Sequence, residues 1–247
     1  MTAGRPSRRD LNPERVAPPA GVRTTSMAAP GATRLVLVRH GEAICNVEGV
    51  VGGRRGCTGL TAHGEKQVEV LAARLAATGE LAGIDALYAS VLRRAVRTAE
   101  ILAPALASAA GGRALEVRAE CDLCELHPGE ADGLRWEEFA ARYPEPDWDA
   151  DPSLVIAPGG ESWTSFVDRA AAALEALAAR HCGGTVVVAC HAGVIEASML
   201  RFLPVSTATV RLGLRTEHAS ITEWEHVGDR WLLHRYNDVA EAAVQQA

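Results

Sequence analysis

The chain has 247 residues, enough for one large α/β domain or two small ones, and its apolar content of 48% is that of a globular protein. A formal net charge of −6 argues against nucleic-acid binding as the main task and against a polybasic membrane anchor. No run approaches the ~18 apolar residues of a membrane span. The six cysteines are scattered along a long chain, which favours a reducing compartment, and the expected location is the cytoplasm.

Residues 1–31 are rich in Arg, Pro, Ala, Gly, Ser and Thr and have little to bury, so a disordered leader is expected. Ser7-Arg8-Arg9 is not followed by an apolar segment, which argues against an export signal. Leu35-Val36-Leu37-Val38 is apolar without alternation, the pattern of a strand buried on both faces, and it ends in Arg39-His40-Gly41-Glu42. Residues 43–59 read as a glycine-rich loop, with Asn46, Gly52, Gly53, Arg54 and Arg55, whose backbone N–H groups suit anions. Thr61 reads as the N-cap of a helix with Val68, Leu71 and Leu75 on its apolar stripe and Gly79 as its stop.

Residues 84–90 read as a second strand, followed by a helix over about 92–106. Arg93, Arg94 and Arg97 sit in that helix's early part, where cations oppose the macrodipole unless an anion binds nearby. Residues 115–118 read as a weaker strand leading into Cys121-Asp122-Leu123-Cys124-Glu125-Leu126-His127. Cys121 and Cys124 suggest a zinc pair, but no second Cys pair or suitably spaced His pair completes a site; a redox role is the other alternative, and small residues beside a strand end are the expected reading. A short helix is expected at 136–143, a Pro- and Asp-rich stretch at 144–160 that covers the site, and a helix at 162–180 with Phe166, Ala170, Leu174 and Leu177 inward.

Thr185-Val186-Val187-Val188-Ala189-Cys190 repeats the first design and ends at His191-Ala192-Gly193. A helix follows over 192–202, and two runs joined across Gly228-Asp229 predict an antiparallel edge hairpin. The alternation of strands and helices predicts a three-layer α/β/α sandwich around a mainly parallel sheet with an antiparallel edge. Residues 32–240 are expected to form one domain, with a small cap insert at about 127–160, and 241–247 a tail.

In open α/β sheets, ligands bind beyond the carboxyl ends of the strands. That rim would gather Arg39, His40, Arg94, Glu125 and His191, with Asn46 nearby. Two guanidinium forks suit a tetrahedral oxyanion, a neutral imidazole is a competent nucleophile, and a carboxylic acid can protonate a leaving oxygen. The histidines lack a third clustered ligand at metal spacing, so no catalytic metal is expected.

Arg39-His40-Gly41-Glu42, Asn46, Leu60-Thr61-x-x-Gly64, Ser90-x-Leu92-x-Arg94-Ala95-x-x-Thr98-Ala99, Leu123-x-Glu125, Gly159-Gly160-Glu161-Ser162 and His191-Ala192-Gly193-Val194 resemble the histidine phosphatase superfamily, the phosphoglycerate mutase-like group. The resemblance runs in order from about Arg34 to Asn237. It implies a phosphoglycerate mutase-like fold and His40 as the residue that becomes phosphorylated. Arg39, Arg94 and His191 would bind phosphate with Asn46 assisting, and Glu125 would be general acid and then base. Gly52 and Gly53 stand where the family often has Gln or Thr before a Gly, and Ala192 where Gly is commoner. These three count as substrate-binding positions, and their departures leave substrate identity open. Arg54 and Arg55 offer contacts to a second anionic group or are solvated loop charges. The implied activity is metal-independent and cofactor-free hydrolysis of a small phosphorylated substrate. Phosphoglycerate mutase-type transfer and a non-catalytic phospho-ligand scaffold are the alternatives, and a homodimer is compatible with the sequence.

Overall fold

The computed structural model describes residues 31–204 and 211–240; the leader up to residue 30 and the tail 241–247 lie outside them. Six strands form one sheet: β1 (Thr33–Arg39), β2 (Ala86–Ser90), β3 (Val117–Glu120), β4 (Thr185–Cys190), β5 (Ser220–Val227) and β6 (Arg230–Val239). Their order across the sheet is β3-β2-β4-β1-β5-β6. The first four strands of that order run parallel, β5 pairs antiparallel with β1, and β6 closes the edge antiparallel to β5.

The unbroken apolar runs are explained by burial on both faces. Leu35, Leu37, Val186 and Val188 face one layer, made by α5 (Trp163–Arg180) and α6 (Ala192–Phe202). Val36, Val38, Val187 and Ala189 face the other, made by α2 (Ala62–Thr78) and α3 (Arg93–Ala109). Successive residues of one strand thus feed two separate cores, which is the three-layer sandwich expected. A smaller cluster of Val51, Ala131, Phe139 and Ala157 joins the loop after β1 to the stretch around α4 (Trp136–Arg142).

Three elements differ from the sequence expectation. The glycine-rich loop contains a five-residue helix, α1 (Ile44–Glu48), closed by Gly49 in the left-handed region; one and a half turns show no periodicity to detect. β3 starts two residues later than the apolar pattern suggests, because only β2 pairs with it and its side chains are half-exposed. β6 runs on to Val239 through polar Arg235-Tyr236-Asn237-Asp238. Those polar side chains are spent on an ionic lattice. Arg235 binds Glu80, Glu223 and Asp238, Arg74 binds Glu80 and Asp238, and Arg34 of β1 binds Glu223.

Thr61 caps α2 by accepting the N–H of Gly64 at 2.9 Å, and Gly79 ends the helix at φ 63°. Gly64 has a further duty. Its Cα lies against the backbone of Glu42, so that a Cβ would collide with the Glu42 carbonyl oxygen. This close approach seats α2 under the turn that follows β1. Gly64→Ala should therefore lower stability by about 2–3 kcal/mol through overpacking, read from the denaturant midpoint. At Gly79, where the space is open, the same substitution meets only the left-handed backbone and should cost about 1–2 kcal/mol.

Candidate active site

The carboxyl ends of the two central parallel strands deliver the two imidazoles. His40 follows β1, His191 follows β4, and their ring centroids lie 5.1 Å apart in an edge-to-face arrangement. Both rings are buried, with 4% and 0% of their surface exposed. His40 Nδ1 lies 2.7 Å from the Gly41 carbonyl oxygen, which can only accept, so Nδ1 carries the proton. Arg94 Nε donates to His40 Nε2 at 3.1 Å, which leaves the lone pair on Nε2. Two independent contacts thus fix one tautomer.

Of the three arginines at the start of α3, only Arg94 turns inward. Its Nη1 donates to the Gly52 carbonyl at 2.7 Å, so the loop after β1 and the His40 ring are held by one guanidinium. Arg97 pairs with Glu65 and Glu100 at the surface, and Arg93 is exposed. Thr98, one turn further along α3, donates to the Arg94 carbonyl and accepts the N–H of Gly41, tying the helix to the turn. Arg39 donates through Nη1 to the carbonyl of Thr216.

Glu125 arrives from the loop after β3 and meets α6. Its Oε2 accepts the N–H of Gly193 at 3.1 Å and its Oε1 that of Leu126 at 3.1 Å. A Cβ at position 193 would collide with this carboxylate, so glycine there is what lets the acid reach the helix N-terminus beside His191. Behind it, Arg169 of α5 is paired with Glu161 and donates to the carbonyls of Asp122, Cys124 and Glu125. Glu125 also borders a cleft of about 300 Å³, whose rim includes Gly53, Arg54, His127 and Asp132.

The remaining expected positions are more scattered. Asn46 is exposed on α1, Gly53 is buried against the Asp132 carboxylate, and Ala192 opens α6. Arg55 is held by Asp132, and Arg54 is exposed with Nη2 3.3 Å from Cys121 Sγ.

Sequence reasoning missed His218. Its ring centroid is 5.5 Å from that of His40. It precedes β5, whose antiparallel course brings its amino end to the rim where β1 and β4 terminate. Ala219, next in the chain, sits at φ 54° and donates its N–H to the Arg39 carbonyl. An alanine in the left-handed region costs about 1–2 kcal/mol, so the surrounding structure must hold this turn in place.

Electrostatics keep these rings neutral. Burial, and then the positive charge of Arg94, push both His40 and His191 well below the ordinary histidine range. Burial and Arg39 bring His218 down to about 4. Burial lowers Arg39 as well. Arg39 Nε, both nitrogens of His191 and Nε2 of His218 are buried without a hydrogen-bond partner among the described residues. Buried polar atoms nearly always have one, so this cluster around one imidazole is a place for a polar ligand.

The chain belongs to the histidine phosphatase superfamily (branch 1), which it matches over residues 35–239. It is 34% identical over 211 residues to a metal-independent phosphoserine phosphatase of Arabidopsis thaliana, covering 84% of this chain and 82% of that one. It is 32% identical over 209 residues to phosphoglycerate mutase-like protein 4 of the same plant, covering 83% and 85%. Among solved structures, a mycobacterial glucosyl-3-phosphoglycerate phosphatase in complex with VO3 superposes with a TM-score of 0.67 at 28% identity, covering 83% of this chain and 99% of that one.

Three histidines held neutral in the fold but free to protonate when unfolded make stability depend on pH. The unfolded chain takes up these protons as pH falls through about 6.5, while the folded chain does not. Stability should therefore be fully present above that value and drop between pH 7 and pH 4, down to where His218 itself protonates. Denaturant midpoints measured across this range check it, and His40→Asn should flatten the slope.

Proposed function

We propose that the protein hydrolyses small phosphomonoesters through a phosphohistidine formed on His40. The observation that carries this reading is the locked imidazole, with Nδ1 on the Gly41 carbonyl and an unprotonated Nε2 under the Arg94 guanidinium. A neutral buried imidazole is a nucleophile at physiological pH without a base to activate it. When a phosphate enters, the guanidinium is the donor that passes from Nε2 to the phosphoryl oxygens, and frees the lone pair.

In the first step Nε2 attacks phosphorus and the ester oxygen leaves with a proton from Glu125. In the second, Glu125 takes a proton from water, the hydroxide attacks the phosphoimidazole, and inorganic phosphate and neutral His40 result. Arg39, Arg94, His191 and the newly found His218 surround the phosphoryl group, where positioned donors stabilise charge as it spreads over the oxygens. Gly53 lines the cleft that Glu125 borders, while Asn46, Gly52 and Ala192 are assigned to the substrate by the family resemblance alone. Arg54, at the mouth of the cleft that Glu125 borders, offers a cation to a second anionic group on the leaving side. This chemistry needs neither a metal nor a cofactor.

Among the described residues no helix is long and apolar enough to cross a membrane. Six free cysteines, four of them buried, support a cytoplasmic location.

Phosphate release from p-nitrophenyl phosphate, without interconversion of 2- and 3-phosphoglycerate, is the expected result, and the opposite pattern favours the mutase reading. Turnover should survive EDTA. His40→Ala should abolish both turnover and the acid-labile phosphoenzyme, whereas Arg94→Ala should lower kcat by roughly 10²–10³-fold, the scale of losing one positioned donor. A panel that includes phosphoserine and glucosyl-3-phosphoglycerate would define the substrate. An enzyme that never takes phosphate onto His40 would return the scaffold reading.

A further inference from the structure

The loop that carries Glu125 holds a second constellation that phosphoryl transfer does not use. The three-residue 3₁₀ turn Cys121–Leu123 folds Cys124 back, with its N–H on the Cys121 carbonyl at 2.9 Å. Both thiols therefore lie on one side, with Sγ atoms 4.0 Å apart. His127 completes the group, its Nε2 3.7 Å from Cys121 Sγ. All three ligand atoms fall within 4.8 Å of one another.

The two separations made by Cys121 are close to those of a tetrahedral metal, and the third pair lies within 4.8 Å. With metal–sulfur bonds of about 2.3 Å and a metal–nitrogen bond of about 2.0–2.1 Å, tetrahedral angles put S and S about 3.8 Å apart and S and N about 3.6 Å apart. A disulfide would instead need the two sulfurs at about 2.05 Å. The surroundings are arranged for the same purpose. His127 Nδ1 faces the Glu161 carboxylate at 3.6 Å, beyond hydrogen-bond reach but on the side away from Cys121, to which Nε2 turns. The Arg54 guanidinium donates to Cys121 Sγ at 3.3 Å. Ser90 Oγ donates to Cys124 Sγ at 3.3 Å. Arg169 grips the Asp122 and Cys124 carbonyls and Glu161 accepts the His127 N–H, so the loop is held before any ion arrives. Two thiolates and one imidazole form a soft, doubly anionic set that suits zinc and not magnesium or calcium.

We propose that Cys121, Cys124 and His127 bind one zinc ion at the edge of the catalytic cleft. Cys124 is buried beneath, while Cys121 and His127 line the cleft, so the fourth position is turned toward it for water. Binding forms two metal–sulfur bonds and one metal–nitrogen bond, and releases the proton of each thiol that was not already ionised. The chelate ring spans residues 121–127 and encloses Glu125, whose loop Arg169 already holds, so metal binding and EDTA-resistant turnover are compatible. None of its three ligands is a group assigned to phosphoryl transfer, so the site is judged by binding and not by turnover.

Cobalt(II) is the probe. The full-length protein, reduced and stripped of metal, should take up one cobalt per chain, with the thiolate charge-transfer band and the visible d–d bands of a tetrahedral S₂N site, and zinc should bleach them. Cys121→Ser should abolish the charge-transfer intensity of one thiolate and weaken binding. His127→Gln, at a half-exposed position that leaves the core intact, should weaken cobalt binding at least tenfold. Cys182→Ser, on the exposed cysteine elsewhere, should change neither. Absence of the bands in the reduced wild type would overturn the proposal, as would their persistence at full intensity in both ligand variants.

Discussion

The turn after β1 and the ring it presents depend on one guanidinium. Arg94 holds His40 Nε2 with its Nε and the Gly52 carbonyl with its Nη1, while its own backbone carbonyl is tied through Thr98 to the Gly41 N–H. A single side chain thereby fixes a ring, a loop and a turn at once. Burial of the His40 ring, and then the neighbouring Arg94 charge, make a protonated imidazole unfavourable and leave the lone pair on Nε2.

The sheet explains why such a group can be assembled from remote segments. β1 and β4 are adjacent and in register from Arg34 with Thr185 to Arg39 with Cys190, so the residues that follow them emerge side by side. That juxtaposition is the reason two strands of similar sequence, each ending in a histidine, produce two neighbouring rings. Glu125 reaches the start of α6, next to His191, only because Gly193 has no side chain and Arg169 fixes the loop from behind. The acid is thus set by backbone contacts as much as by its own position in the chain.

What the sequence made legible follows the same logic. Continuous apolar runs identified β1 and β4, and a capped amphipathic pattern identified α2, because burial on both faces and helical spacing leave periodic marks. His218 left none. A search for residues after apolar runs finds the ends of parallel strands, but β5 enters the sheet reversed, so the residue that matters stands before the run. β3 and the far half of β6 were blurred for another reason. Their side chains are half-exposed or ion-paired, and the pattern of an edge is written in charges and not in apolar residues. Cys121 and Cys124 were visible as a pair, while their convergence with His127 depended on a 3₁₀ turn that spacing does not disclose.

The ionic lattice on the outer edge reaches further than its position suggests. Arg34, Arg74 and Arg235 join α2, β1, β5 and β6 through Glu80, Glu223 and Asp238. The same hairpin supports the segment that brings Thr216 and His218 to the rim, since Tyr236 donates to the Arg215 carbonyl and Asn237 accepts the N–H of Glu217. Proteins open first where elements lie at a margin, in cooperative pieces smaller than the whole. Separation of β6 from β5 would loosen the anchor of Arg39 and withdraw Trp231 and Tyr236 from the layer that α5 and α6 cover. The outer edge of the sheet is thus coupled to the catalytic end of its centre through the hairpin and the segment before β5.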